Sequence, residues 1–366
     1  MTATTSAGAG TGSAATPRTG PRGTPASRLE VTLDEPPTLG GLYARAARWA
    51  ATAAVAGPAG RLLDRSGARD RGRAGSDRPP LALPEVAYHL AGVRAEADRL
   101  TAYQHLVGEP ATDALPAGFV HVLGFPVATA LMVRPDFPLP LLGMVHLANR
   151  VAQHRPLLLA ERLDVCAWAQ DLRPHRKGVQ VDLVTEVRAE GDDAVAWRGV
   201  STYLAPGARG AAGAPGRVAP PEPAAPPGSA GTPGSTAPPD REPPDGPRFV
   251  PPPPTALWRL DAGTGRRYAA VSGDVNPIHL SAASAKAFGF PRAIAHGMDT
   301  AARLLAGVGA ARGAAFVWEV AFAKPVLLPS TPAARVARDD TGGFTLTLWD
   351  TRRGRAHVTG SVRPPG

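Results

Sequence analysis

The sequence predicts an α+β fold built from two successive units, each an apolar helix followed by an antiparallel meander of strands. Three observations carry this. Strand-like runs recur in two groups with turn residues between them. Apolar stretches long enough for helices precede each group. Residues 206–254 hold 17 prolines among Gly, Ala and Ser, a composition that cannot build a packed core and divides the chain in two.

Four segments follow: a low-complexity tail over 1–80, a first unit over 81–205, a Pro-rich linker over 206–254 and a second unit over 255–363. Residues 1 to about 37, rich in Thr, Ser, Gly, Ala and Pro, are expected to be disordered. Leu39 to Leu63 offers a helix broken near Gly57-Pro58, with an apolar face able to dock on the body; Arg65 to Pro80 reads as a further linker. In the first unit a helix is expected across Ala91 to Gln104, where Val93, Ala97 and Leu100 share one side. The apolar run Phe119 to Val133 comes next, and Gly143 to Gln153 is taken as the buried central helix. Strands follow at Leu157 to Ala169, Val179 to Glu190 and Ala194 to Leu204. In the second unit the expected helices are Ser281 to Phe288 and Met298 to Val308. The strands are Ala315 to Lys324, Ala333 to Asp339, Phe344 to Asp350 and Ala356 to Val362. Gly143-Met144 and Gly297-Met298, each before a helix and its strands, read as an internal repeat.

Composition excludes several function classes. The formal net charge is +9, but residues 1–80 alone carry 11 arginines against 6 acidic residues, and no basic stripe interleaved with aromatics marks a nucleic-acid surface. An anionic ligand such as coenzyme A is compatible with a basic chain. Cys166 is the single cysteine, so no intrachain disulfide can form; it reads as a small core residue of a strand. The first residues lack the apolar stretch of a signal peptide, and Ala50 to Gly60 is too short to span a bilayer. A cytoplasmic protein without stable membrane insertion is expected.

Chemistry concentrates in Tyr268 to Met298. Gly273 permits a backbone that a Cβ would obstruct, and Asn276-Pro277 reads as an N-cap with proline at the first helical position. His279 then falls in the first helical turn, where the helix dipole disfavours the imidazolium and leaves a neutral base. Asp274 lies just before the cap, close enough for both side chains to address one water. Ala-His-Gly-Met at 295–298 opens another helix, where Gly297 gives a ligand access to free backbone N–H groups that stabilise a carbonyl oxygen gaining negative charge. Ser272 is either a pocket donor or a turn residue. Tyr268 reads as packing, and His296 as a cap that orients Gly297. Asp274, Asn276, His279 and His296 do not read as a metal site, because Asn is a poor zinc ligand and no third strong ligand has suitable spacing. His121 and His146 lie in apolar runs and read as core or tunnel-lining residues.

Tyr-x-x-x-Ser-Gly-Asp-x-Asn-Pro-x-His from Tyr268 to His279, followed by Ala-His-Gly-Met, resembles the signature of the MaoC-like dehydratases and type 2 (R-specific) enoyl-CoA hydratases. The resemblance implies a double hotdog fold, each sheet wrapping a central helix, with a motif-free first half beside a catalytic second half. It implies that Asp274 and His279 activate the water that adds across an enoyl thioester, that Asn276 shapes the site, and that the Gly297 N–H binds the thioester carbonyl. The expected activity is reversible hydration of trans-2-enoyl thioesters or dehydration of (R)-3-hydroxyacyl thioesters in fatty acid metabolism. The carrier would be coenzyme A or acyl carrier protein, with no metal or other cofactor; a homodimer is compatible. A thioester-binding or assembly partner without turnover and a hotdog thioesterase are the competing readings. The intact Asp274 and His279 favour the hydro-lyase.

Overall fold

The computed structural model describes residues 28–62, 81–208 and 249–365. The first 27 residues of the expected tail, all of the 65–80 linker and the interior of the Pro-rich linker lie outside them.

The chain begins with β1 (Leu29–Thr32) and α1 (Leu39–Leu62), then β2 (Val86–Val93), α2 (Ala97–Val107), α3 (Ala117–Met132), β3 (Val145–Gln153), β4 (Leu163–His175), β5 (Gly178–Ala189) and β6 (Trp197–Pro206). The second unit holds β7 (Ala256–Leu257), α4 (Thr264–Ser272), α5 (Pro277–Leu280), α6 (Ala282–Ala287) and α7 (Gly297–Ala306). It ends with β8 (Phe316–Phe322), β9 (Ala333–Arg338), β10 (Phe344–Asp350) and β11 (Arg355–Arg363). The strands form one sheet in the order β1-β2-β4-β5-β6-β3-β8-β11-β10-β9-β7. The units join where β3 and β8 pair antiparallel, from Ala148 opposite Ala321 to Gln153 opposite Phe316. Helix α3 lies against β4 and β5, and α7 against β9, β10 and β11, so each half-sheet wraps one helix.

The central helix of the first unit is therefore α3 rather than Gly143 to Gln153. Phe119, Val127 and Leu131 are fully buried, and a helix enclosed on all sides needs no polar face, which is why its sequence is an unbroken apolar run. Most of that segment, Val145 to Gln153, instead forms β3, hydrogen-bonded to β6 on one side and β8 on the other. Pairing on both edges overrides the local helical spacing. The internal repeat is real but shifted: α3 followed by β3–β6 corresponds to α7 followed by β8–β11, and Gly143-Met144 is not the counterpart of Gly297-Met298. The helix expected from Ala91 starts later, at Ala97. Its first residues belong to β2, which ends in an irregular pairing with β4 between Leu90 and Val93, where Gly92 takes φ +69°.

Two expectations for the tail are also corrected. Leu29–Thr32 is ordered as an edge strand parallel to β2, its backbone groups satisfied by an open sheet edge. Helix α1 runs unbroken through Gly57-Pro58 to Leu62. Its start docks as expected: Leu39, Leu42 and Tyr43 are buried against Phe125, Ala130 and Val133 of the α3 segment and against Leu141 and Leu142. Cys166 is buried in β4, and burial pushes its thiol up to about 12, as suits a structural residue.

Candidate active site

The site is assembled on the loop between α4 and α5. Helix α4 ends in a left-handed Gly273 (φ 76°) whose N–H donates to Ala269 O, a termination that strains any residue with a Cβ. The Ser272 hydroxyl accepts the Asp274 N–H at 3.1 Å, so Ser272 acts as a turn residue. Asn276 caps α5, its side chain accepting the Ile278 N–H, with Pro277 in the first turn. From the other unit, Arg99 on α2 donates to the Val271 carbonyl at 2.7 Å and the Ser272 carbonyl at 3.2 Å, satisfying carbonyls that the end of α4 leaves free. Helices α4 and α5 meet at Gly265, where a Cβ would lie 2.1 Å from the His279 carbonyl oxygen.

His279 is 7% exposed, and its Nδ1 lies 2.9 Å from the Ile294 carbonyl. A carbonyl only accepts, so Nδ1 carries the proton and Nε2 presents a lone pair. Burial lowers the His279 pKa, opposed by the charge of Asp274. This corrects the expected cause: α5 spans only four residues, too short for a sizeable dipole, and desolvation keeps the ring neutral.

Asp274 Oδ1 accepts the Tyr43 hydroxyl at 2.8 Å and the Asn276 N–H at 3.2 Å. Burial works against the carboxylate, yet the neighbouring His296 and His279, with the Tyr43 and Asn276 donors, hold it below the usual carboxylate range.

His296 stacks on His279 with ring centroids 3.6 Å apart. It occupies the N-cap position of α7 but makes no side-chain cap bond. Its Nε2 donates instead to the Asp274 carbonyl at 3.0 Å, tying α7 to the loop. Burial pushes its pKa down to about 3. Tyr268 packs on its ring at 4.8 Å, in the packing role expected of it.

Asp274, Asn276, His279, His296 and Gly297 line one cavity of about 470 Å³. The first unit supplies the facing wall through His121, Phe125, His146 and Tyr203, so both expected tunnel histidines reach the cavity. Burial lowers His121 to about 4 and His146 to about 3. At Gly297 a Cβ would come within 3.0 Å of the Phe322 ring, and its N–H lies in the first turn of α7, beyond reach of an intrahelical carbonyl.

Asp274, His279 and His296 offer donor atoms within 4.8 Å of one another. The two imidazoles are stacked at 25° with centroids 3.6 Å apart, so their lone pairs lie in nearly parallel, offset planes and cannot meet at one bonding point. That geometry does not fit the closed or facial ligand sets of protein metal centres.

Three residues essential to this arrangement escaped the sequence reading: Tyr43, Arg99 and Gly265. Each lies far from the motif or at a position whose role depends on a neighbour, and no local signal marks them.

Residues 244–353 match the family model described as MaoC like domain. The chain is 36% identical over 281 residues to 3-hydroxyacyl-thioester dehydratase X of Mycobacterium tuberculosis, an alignment spanning 77% of this chain and 90% of that protein. The chain belongs to the MaoC-like dehydratase family. The crystal structure of HtdX of Mycobacterium tuberculosis matches with a TM-score of 0.61 at 34% identity, covering 76% of this chain and all of that one. A MaoC-like dehydratase from Phytophthora capsici, 19% identical, matches with a TM-score of 0.55 over 78% of this chain and 97% of its own, and so shares the fold. Family membership extends over both units, including the half without the motif. The double hotdog and the hydro-lyase class expected from the sequence both stand.

Proposed function

We propose that the chain interconverts (R)-3-hydroxyacyl and trans-2-enoyl thioesters carried on coenzyme A or acyl carrier protein, using Asp274 and His279. One observation carries this reading: a carboxylate held ionised and an imidazole with a free Nε2 lone pair stand within 4.8 Å of each other on a single cavity.

In the hydration direction, a water placed between Asp274 and His279 gives its oxygen and one hydrogen to C3 of the enoyl thioester. Its other proton passes through the dyad to C2, so the dyad returns to its starting state; dehydration reverses each step. The thioester oxygen gains enolate-like charge in between. The Gly297 N–H, at the start of α7, is the donor we assign to it. The Nδ1–H bond to Ile294 fixes the tautomer, so His279 can exchange a proton only through Nε2. His296, neutral and donating to the Asp274 carbonyl, holds the loop in place. No step is routed through a metal.

The cavity is lined by side chains of both halves, which accounts for the retention of a first unit without the motif. The family relative's name, a 3-hydroxyacyl-thioester dehydratase, supports the substrate class. Among the described residues no helix is long and apolar enough to cross a membrane.

The test is an absorbance assay with crotonyl-CoA and a longer trans-2-enoyl-CoA. Asp274→Asn and His279→Ala should each lower kcat by about 10²-fold or more, the range typical of a lost general acid or base. Equal rates in the wild type and both variants would sink the assignment.

A further inference from the structure

Helix α1 belongs to neither repeat, yet it bonds the reactive loop at one place and passes close to it at two more. The Tyr43 hydroxyl donates to Asp274 Oδ1 at 2.8 Å across 231 positions of sequence. A Cβ on Gly273 would lie 3.6 Å from Leu39 Cδ1, and one on Gly40 would lie 4.0 Å from Val275 Cγ2. Tyr43 and Leu39 are 8% and 5% exposed. Burial, and then the charge of Asp274, raise the phenol pKa well above its ordinary value, so the group stays a donor throughout the working range. The Asn276 N–H meets the same Oδ1. Oδ1 is thus engaged twice, while Oδ2 lies 3.8 Å from His296 Nε2.

We propose that Tyr43 is a positioning residue for Asp274, fixing Oδ1 so that Oδ2 is the oxygen presented to the reacting water, and that α1 is therefore a working part of the site. This rests on the hydro-lyase reading above for what Asp274 does, but not for how it is held. A carboxylate with both oxygens free rotates about its terminal torsion. One clamped by a hydroxyl from one side and a backbone N–H from the other presents a single oxygen in a single orientation.

The decisive measurement is the titration of Asp274 in the full chain, followed by ¹³C NMR of labelled aspartate and assigned by its loss in Asp274→Asn. The other groups facing Asp274 are His279 on α5, His296 at the start of α7, His121 on α3, His146 on β3 and Tyr203 on β6, with Tyr268 on α4 behind them. All of these are retained in Tyr43→Phe, which keeps the buried ring and removes only the hydroxyl. Losing a donor to the charged form raises the carboxyl pKa, so the midpoint should move up by about one unit. The acid limb of the kcat/KM profile should move with it, and kcat should fall about tenfold with KM little changed. A more acidic, fluorinated tyrosine installed at position 43 strengthens the donor and should move the midpoint the opposite way, with the fold undisturbed. An unmoved Asp274 midpoint in both proteins overturns the proposal, whatever the rate does. If the wild type turns over no enoyl thioester, the reaction reading fails by itself, and the NMR midpoint still decides the role of Tyr43.

Discussion

Four imidazoles surround Asp274, and burial lowers the pKa of every one: His121 to about 4, His146 and His296 to about 3, and His279 below its ordinary value. In the unfolded chain each titrates near 6.5. Below that pH the unfolded state binds protons that the folded state refuses, so the stability these residues contribute is complete above pH 6.5 and is lost as pH falls toward the folded values. Each costs up to about 1.4 kcal/mol per pH unit in that window. Asp299, whose carboxyl burial pushes up, works the other way. Thermal melts should therefore show a steep drop in Tm between pH 6.5 and 4.5. Replacing His146 by Phe, which cannot be protonated, should flatten that drop; an unchanged slope would contradict the assignment. The motif residues were legible because their types and spacing are dictated by turn chemistry: Gly273 for a left-handed backbone, Asn276 for a cap, Pro277 for a first turn. The neutral state of His279 was also legible, but its cause was not, since desolvation depends on what covers a ring.

At the scale of elements, the contact of α4 with α5 places His279. Gly265 sits where a Cβ would meet the His279 carbonyl at 2.1 Å, and because the obstacle is backbone it cannot be relieved by a rotamer change. Gly265→Ala should push α5 away, cost about 1–3 kcal/mol in stability and lower kcat beyond what that loss explains. A urea denaturation midpoint beside a rate measured well below it separates the two effects. Nothing in Thr-Gly-Arg-Arg announces this role, because the partner atom lies fourteen residues on. The assignment of Gly143 to Gln153, rather than α3, as the central helix has a similar origin. A helix buried on every side loses its amphipathic pattern, and a strand covered on both faces, as β3 is where Val151, Ala152 and Gln153 are buried in succession, does not display a clean alternation. The later strands β9, β10 and β11 were placed to within a residue or so, since Gly342-Gly343 and Arg353-Gly354 mark their turns plainly.

For the molecule as a whole, the two units share one sheet through β3 and β8, one cavity, and the clamp of Arg99 on the end of α4. A fragment beginning near Thr255 would expose the β8 edge and one wall of the cavity. It should be recovered insoluble or inactive, as scored by sedimentation and by the enoyl-CoA assay, and a soluble, active fragment would show the first unit to be dispensable. The sequence by itself determined the α+β class, the turn and cap chemistry around Asp274 and His279, and their nearness, because all of these follow from residue types and short spacings. Only the tertiary structure decided which apolar run is the first central helix, that an N-terminal helix lends Tyr43 to Asp274, that Arg99 and Gly265 hold the loop, and which nitrogen of His279 is free. Those depend on atoms that meet across tens or hundreds of residues, where close packing and buried hydrogen bonds, rather than local propensity, choose the arrangement.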